Sequence, residues 1–153
     1  MNGSRMVMIG LLLALGLTGV ARAADLTAAG PLVITAETLT ADRKTGEAVF
    51  EGRVKAVNEE MTLTASRMRV LYAEDGGLRR IEAEGSVRLV RGAQILSADH
   101  AVYEARERTI TFTGNPRAVE GRNILAGSSM LYLLDEDRFM VRDSRVVIEG
   151  TRP

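Results

Sequence analysis

The chain has 153 residues with no Cys, no Trp and a single His, and its 20 basic side chains balance 20 acidic ones. The missing Cys excludes disulfides, thiol chemistry and Cys-held metal centres, and the lone His leaves no partner for a paired-His zinc site. A balanced charge speaks against a nucleic-acid binder driven by phosphate neutralisation, and the length suits one domain with a real core.

Arg5 precedes an uncharged apolar stretch of 15 residues, Met6 to Val20, and Ala21-Arg22-Ala23 fits the small-x-small cleavage pattern of an export signal. Residues 1–23 are therefore read as a signal peptide cleaved after Ala23, and residues 24–153 as a single mature domain. A bilayer span needs about 20 residues. The rival reading is an uncleaved anchor, tilted or in a thinned bilayer. Cleavage removes Arg5 and Arg22 and no acid, leaving 18 basic against 20 acidic side chains.

Beyond this segment the chain repeats itself four times. Ile34-Thr35-Ala36-Glu37, Leu63-Thr64-Ala65-Ser66, Leu96-Ser97-Ala98-Asp99 and Leu125-Ala126-Gly127-Ser128 start 29, 33 and 29 residues apart. A glycine landmark follows the first three, at Gly52, Gly85 and Gly114, with spacings of 33 and 29. Such a period means one supersecondary unit stacked on its copies, each unable to bury its apolar face alone. Function is then expected in a stacked surface or groove.

Each repeat reads as strand, turn, strand. In the outgoing strands the apolar or small residues include Ile34 and Leu39, Leu63 and Met68, Leu96 and Ala101, Leu125 and Met130. Period 2 is the strand signature, but the alternation slips by one residue at the fourth position of each motif. A slip would turn the apolar set outward on a flat strand, so a bulge or sharp bend is expected there. The polar residue at the break (Glu37, Ser66, Asp99, Ser128) is expected to bond local backbone. Short polar turns follow: Asp42 to Gly46, Glu74 to Gly77, Glu104 to Arg108 and Asp135 to Arg138. The return strands alternate again through Phe50, Ile81, Ile110 with Phe112, and Phe139. The fourth return has Asp143-Ser144-Arg145 where a glycine would fall, so an irregular or specialised last strand is expected.

Eight long strands, each broken once, make an all-β fold of about 16 short antiparallel strands in two facing sheets. The facing apolar rows line one slot along the stack. Close packing of protein interiors favours a slot filled by its own side chains. The small residues in the motifs and the scarcity of aromatics leave volume for an apolar ligand.

The run Ala98-Asp99-His100-Ala101-Val102-Tyr103, the returns around Phe50-Glu51-Gly52 and Phe112-Thr113-Gly114-Asn115-Pro116, and the opening Ile34-Thr35-Ala36-Glu37-Thr38-Leu39 resemble the OstA-like domain of the LptA family of periplasmic lipopolysaccharide transport proteins. The resemblance covers about residues 31–148, and the same domain occurs in LptC and the N-terminal part of LptD. It implies a folded-over β-jelly roll whose interior carries the lipid A acyl chains of lipopolysaccharide. It also implies a periplasmic location and head-to-tail edge pairing with LptC-like and LptD-like partners or with further copies. The implied lipid-contact residues are Ile34, Leu39, Phe50, Leu63, Met68, Ile81, Leu96, Ile110, Phe112, Leu125, Met130 and Phe139; plain core packing uses the same residue types.

Partner contacts would fall on the first strand, Leu32 to Thr38 with Leu32, Val33 and Thr35, and on the last, Arg145 to Ile148 with Val146, Val147 and Ile148. Neither edge carries a blocking proline. Arg79, Arg80, Arg88 and Arg91 either meet lipid phosphates at a groove mouth or solvate the outer face and turns. An LptC-like anchored adaptor and a scaffold that binds no lipid are the competing roles.

Catalysis is not expected. Ser97, Asp99 and His100 are neighbours on a strand and point in different directions, and Asp135 with Asp137 lies in a solvated turn. No glycine-rich loop leads from a strand into a helix. No cofactor or metal is implied.

Overall fold

A computed structural model describes residues 31–149. The expected signal peptide and its cleavage point lie outside them. The described residues form twelve antiparallel strands and no helix. These are β1 (Val33–Thr35), β2 (Thr38–Asp42), β3 (Glu47–Val57), β4 (Thr62–Tyr72), β5 (Leu78–Arg91) and β6 (Gln94–Glu104). They continue as β7 (Thr109–Thr113), β8 (Arg117–Glu120), β9 (Asn123–Ala126), β10 (Ser129–Leu133), β11 (Arg138–Arg142) and β12 (Arg145–Val147). Strands β3 to β6 run through their breaks without interruption, whereas β1/β2, β7/β8, β9/β10 and β11/β12 are the two parts of broken strands. Counting the segments on either side of each break gives the 16 expected, with four of the breaks bridged.

The breaks align into one line across the sheet, so the sheet folds over there. Half-sheet I comprises β1, the ends of β3 and β5, the starts of β4 and β6, and β8, β9 and β12. Half-sheet II comprises β2, the starts of β3 and β5, the ends of β4 and β6, and β7, β10 and β11. The two facing sheets expected from the sequence are thus halves of one continuous sheet.

The fold line has a local cause. Between β4 and β5 the pairs Thr64↔Arg88 and Arg67↔Glu84 leave Ala65 and Ser66 opposite Gly85, Ser86 and Val87. The return strand carries one extra residue, a bulge that bends it. Gly85 and Ser86 take it up at φ 82° and 47°, and Gly52/Arg53 and Gly114/Asn115 repeat the geometry. A Cβ on Gly85 would sit 2.6 Å from that of Ser66, so the position needs glycine for both conformation and space. The fourth repeat differs: Ala126↔Arg145 and Ser129↔Arg142 leave two residues on each strand, with no extra one. Asp143 alone turns, at φ 49°, and the glycine moves to the outgoing strand, where Gly127 lies against the Arg142 carbonyl.

Of the polar residues at the breaks, Glu37, Ser66 and Ser128 bond across to the return strand through their side chains, where local bonding was expected, while Asp99 bonds the Gly114 carbonyl through its backbone N–H (2.9 Å). Ser66 Oγ donates to the Gly85 carbonyl (3.2 Å), Ser128 Oγ to Asp143 (2.6 Å), and Arg53 Nε to the Glu37 carboxylate (2.7 Å). The strands stay paired through the fold, so the nearest partners are across the pair.

Candidate ligand-binding slot

The inner faces of the half-sheets are two apolar surfaces held together by the fold line. On half-sheet I the register aligns Ile34, Ala56, Leu63, Leu89, Leu96, Ala118 and Leu125. On half-sheet II it aligns Leu39, Phe50, Met68, Ala83, Ala101, Phe112, Met130 and Val141, with a second row through Val70, Ile81, Tyr103, Ile110, Tyr132 and Phe139. Both surfaces belong to one continuous core.

All twelve residues named as lipid-contact candidates face this slot. Phe50, Leu63, Met68, Ile81, Leu96, Ile110, Phe112 and Met130 are buried, and Ile34, Leu39, Leu125 and Phe139 are half-buried against them. Phe112, Met68, Leu89, Leu96 and Met130 are almost fully enclosed, so side chains from the two halves fill the space between them. Each such burial is worth about 1.5–3 kcal/mol. A ligand lying between the half-sheets must part them and replace these contacts with its own.

At the lips, opposite the fold line, the halves are joined by polar contacts that the sequence reading did not find. Arg91, at the end of β5, donates to the Tyr132 hydroxyl of β10. Its guanidinium lies 5.5 Å from the Tyr132 ring centroid, 3.6 Å from Asp137 and 3.8 Å from Glu60. Tyr132 in turn donates to Asp137 Oδ1 (2.7 Å), and its ring stacks on Phe139 at 4.2 Å. Burial, reinforced by the Asp137 bond and opposed by Arg91, pushes the Tyr132 phenol up to about 12. Asp135 and Asp137 are both exposed in their turn, as expected, and both also hold ion pairs, Asp135 with Arg108 Nε at 2.5 Å. The one available signal was Tyr132 itself: an inward tyrosine needs a partner for its hydroxyl.

Both ends of the slot are open edges. On their outer sides, β1 and β2 at one end and β11 and β12 at the other pair with nothing among the described residues. Val33, Thr35, Val146 and Val147 lie in these strands, with Leu32 and Ile148 just beyond them; Leu32, Val33, Val146, Val147 and Ile148 are exposed. Strands β2 and β11 form a second pair of edges beyond those expected from the sequence, and Met140 on β11 is also exposed.

The polar residues weighed for catalysis are dispersed. His100 is exposed on the outer face of half-sheet II opposite Glu84 and Thr113, while Asp99 packs at the fold line against Gly114. Among the arginines weighed for phosphates, Arg80 is tied to Glu82 and Glu104 at 3.1 and 3.3 Å. A depression of about 460 Å³ on that outer face is crossed by ion pairs of Arg67 and Arg69 with Glu84, Glu47 and Glu82. The Arg69 hydrogen bond holds the Glu47 carboxyl below its ordinary range.

Residues 33–138 match the family described as LptA/(LptD N-terminal domain) LPS transport protein. An uncharacterized protein of Rhizobium meliloti (strain 1021) is 29% identical over 114 residues, which are 69% of this chain and 61% of that protein, so less than two thirds of the relative is spanned. The crystal structure of LptH, the LptA homologous periplasmic component of the conserved lipopolysaccharide transport device from Pseudomonas aeruginosa, superposes with a TM-score of 0.72 at 14% identity. It covers 79% of this chain and 96% of that one.

Proposed function

The chain belongs to the family of LptA and LptD N-terminal-domain LPS transport proteins, and from that premise we propose that it is a periplasmic carrier that shields the acyl chains of lipopolysaccharide between its two half-sheets. The observation that carries the reading is the pair of apolar inner faces running the full width of the sheet and ending in open edges on both sides. Acyl chains in water are unfavourable by roughly 0.8 kcal/mol per methylene, so an apolar slot gives them a path that needs no local chemistry. The twelve inward residues would be the acyl contacts.

The filled interior makes loading a displacement. Inner side chains retract as the half-sheets part at the lips, and the Arg91–Tyr132–Asp137 contact is the polar barrier that loading breaks. The open edges would pair with the corresponding edges of LptC-like and LptD-like proteins or of a further copy, continuing the slot from one molecule to the next. No catalytic step is assigned. The leader over residues 1–23 would be removed after Ala23 on export, leaving the domain from Ala24 onward.

A photo-crosslinking side chain at Phe112, with a control at Arg106 in the exposed turn, tests the slot in cells. Lipopolysaccharide adducts at Phe112 and none at Arg106 are expected. A folded, exported protein with adducts at neither position would replace the carrier with a scaffold that binds no lipid.

A further inference from the structure

The outer faces of the half-sheets differ in a way that the slot does not require. On half-sheet II outward acids and bases pair: Arg67 with Glu51 and Glu84, and Arg69 with Glu47 and Glu82. Half-sheet I has four outward cations, Lys55, Arg88, Arg117 and Arg145, and no carboxylate at any outward strand position. None of the four is in an ion pair among the described residues.

Register sets these cations in a single row. Lys55, Arg88, Arg117 and Arg145 stand on every second segment, with Thr64, Ser97 and Ala126 between them. At two strand spacings they are about 9–10 Å apart. The next outward row is β-branched and, apart from Thr62 between Val57 and Val90, apolar. Val57, Val90, Ile95, Val119 and Ile124 are half-buried against one another, and Val33 and Val147 end the row 49% and 39% exposed.

Unpaired like charges in a row repel, and an apolar stripe beside them exposes surface that water disfavours. One occupant relieves both: a surface that offers anions above an apolar layer. We propose that the outer face of half-sheet I docks on a bilayer carrying anionic phospholipid headgroups. The cations meet phosphates while the β-branched row reaches the boundary between headgroups and acyl chains. A second copy of the chain is a poor occupant of this face, because symmetric pairing would bring two cation rows together. Sheet twist turns successive segments by about 20–25°. A flat bilayer therefore meets the middle of the row, Arg88 and Arg117 with Val90, Ile95 and Val119, and the outer cations add longer-range attraction. This face is opposite the slot, so the inference stands or falls independently of acyl-chain binding.

The test is flotation with vesicles of phosphatidylcholine alone and of equimolar phosphatidylcholine and phosphatidylglycerol. Because Met6–Val20 is itself apolar, the chain is used from Ala24 onward, which retains every strand and core residue described. Binding is expected on the anionic vesicles only. The double variant R88S/R117S is expected to lose about tenfold or more at low salt, K55S/R145S less, and the differences to shrink at high salt. Ile95→Thr with Val119→Thr is expected to lose severalfold at every salt concentration. The charge-neutral control R67Q/E84Q on half-sheet II is expected to bind as the parent does, and circular dichroism checks that each variant is folded. Equal binding to both vesicle types, or unchanged binding of folded R88S/R117S, overturns the proposal. So does binding to polyglutamate without binding to vesicles, which would assign the row to an acidic protein.

Discussion

The fold line and the lips hold the same two half-sheets together by different means. At the fold line the strands themselves cross, bent by glycine-led pairs at positive φ and locked by partners such as Ser66 on Gly85. At the lips nothing covalent crosses among the described residues, and Arg91, Tyr132, Asp137 and Glu60 meet through side chains alone. A slot built this way has a stiff spine and a separable mouth. Entry along the lips costs a few polar contacts and some apolar packing, whereas opening at the spine would require unfolding.

The largest expected effect lies between these two regions. Phe112→Ala removes a fully buried ring from the middle of the slot and should cost about 3–5 kcal/mol in urea denaturation. At the spine, Gly85→Ala forces a side chain into φ 82° and onto Ser66. It should cost about 2–4 kcal/mol without touching the inner face; a loss below about 0.5 kcal/mol would mean that the spine is not stiff.

The mouth should answer to pH. The unfolded phenol titrates near pH 10, and folded Tyr132 keeps its proton to about 12. The folded state therefore binds the extra proton between these values, and the stability it carries is present below pH 10 and lost by about pH 12. On the order of 2 kcal/mol should disappear across that window. Tyr132→Phe should cost about 1–2 kcal/mol at neutral pH and remove that alkaline loss, measured by denaturation at a series of pH values. The smallest effect is again at the spine. Ser86 sits at φ 47°, where the third repeat has Asn115 at 53°. Ser86→Asn should leave stability unchanged or raise it by up to about 0.5 kcal/mol in thermal melts, because Asn tolerates this conformation better.

Much of this architecture can be read from local pattern. The period of the motif places the outgoing strands, and the slipped alternation with Gly52, Gly85 and Gly114 places the breaks. These features are set by neighbours in the chain. The lip contact joins Arg91 to Tyr132, 41 residues apart, and depends on how far the sheet folds over. The cation row of half-sheet I depends on register, which shifts by one residue at each bulge: Lys55 meets Thr64 in unbroken register from the β3–β4 turn, but Thr64 meets Arg88 only after Gly85/Ser86 is counted. The fourth repeat shows the same limit. Asp143 in place of glycine signals a departure, but only pairing shows that the extra residue is gone and that Gly127 has taken over the close approach.

Methionine methyls give the most direct reading of the slot. Met68 and Met130 are buried on the inner face and Met140 is exposed on the outer side of half-sheet II. With methyl-labelled methionine and lipopolysaccharide added, nuclear Overhauser contacts to acyl methylenes should appear at Met68 and Met130, and none at Met140. Contacts at Met140 alone, with Met68 and Met130 unchanged at saturating lipid, would place the lipid outside the sheet and contradict a carrier that works through its interior.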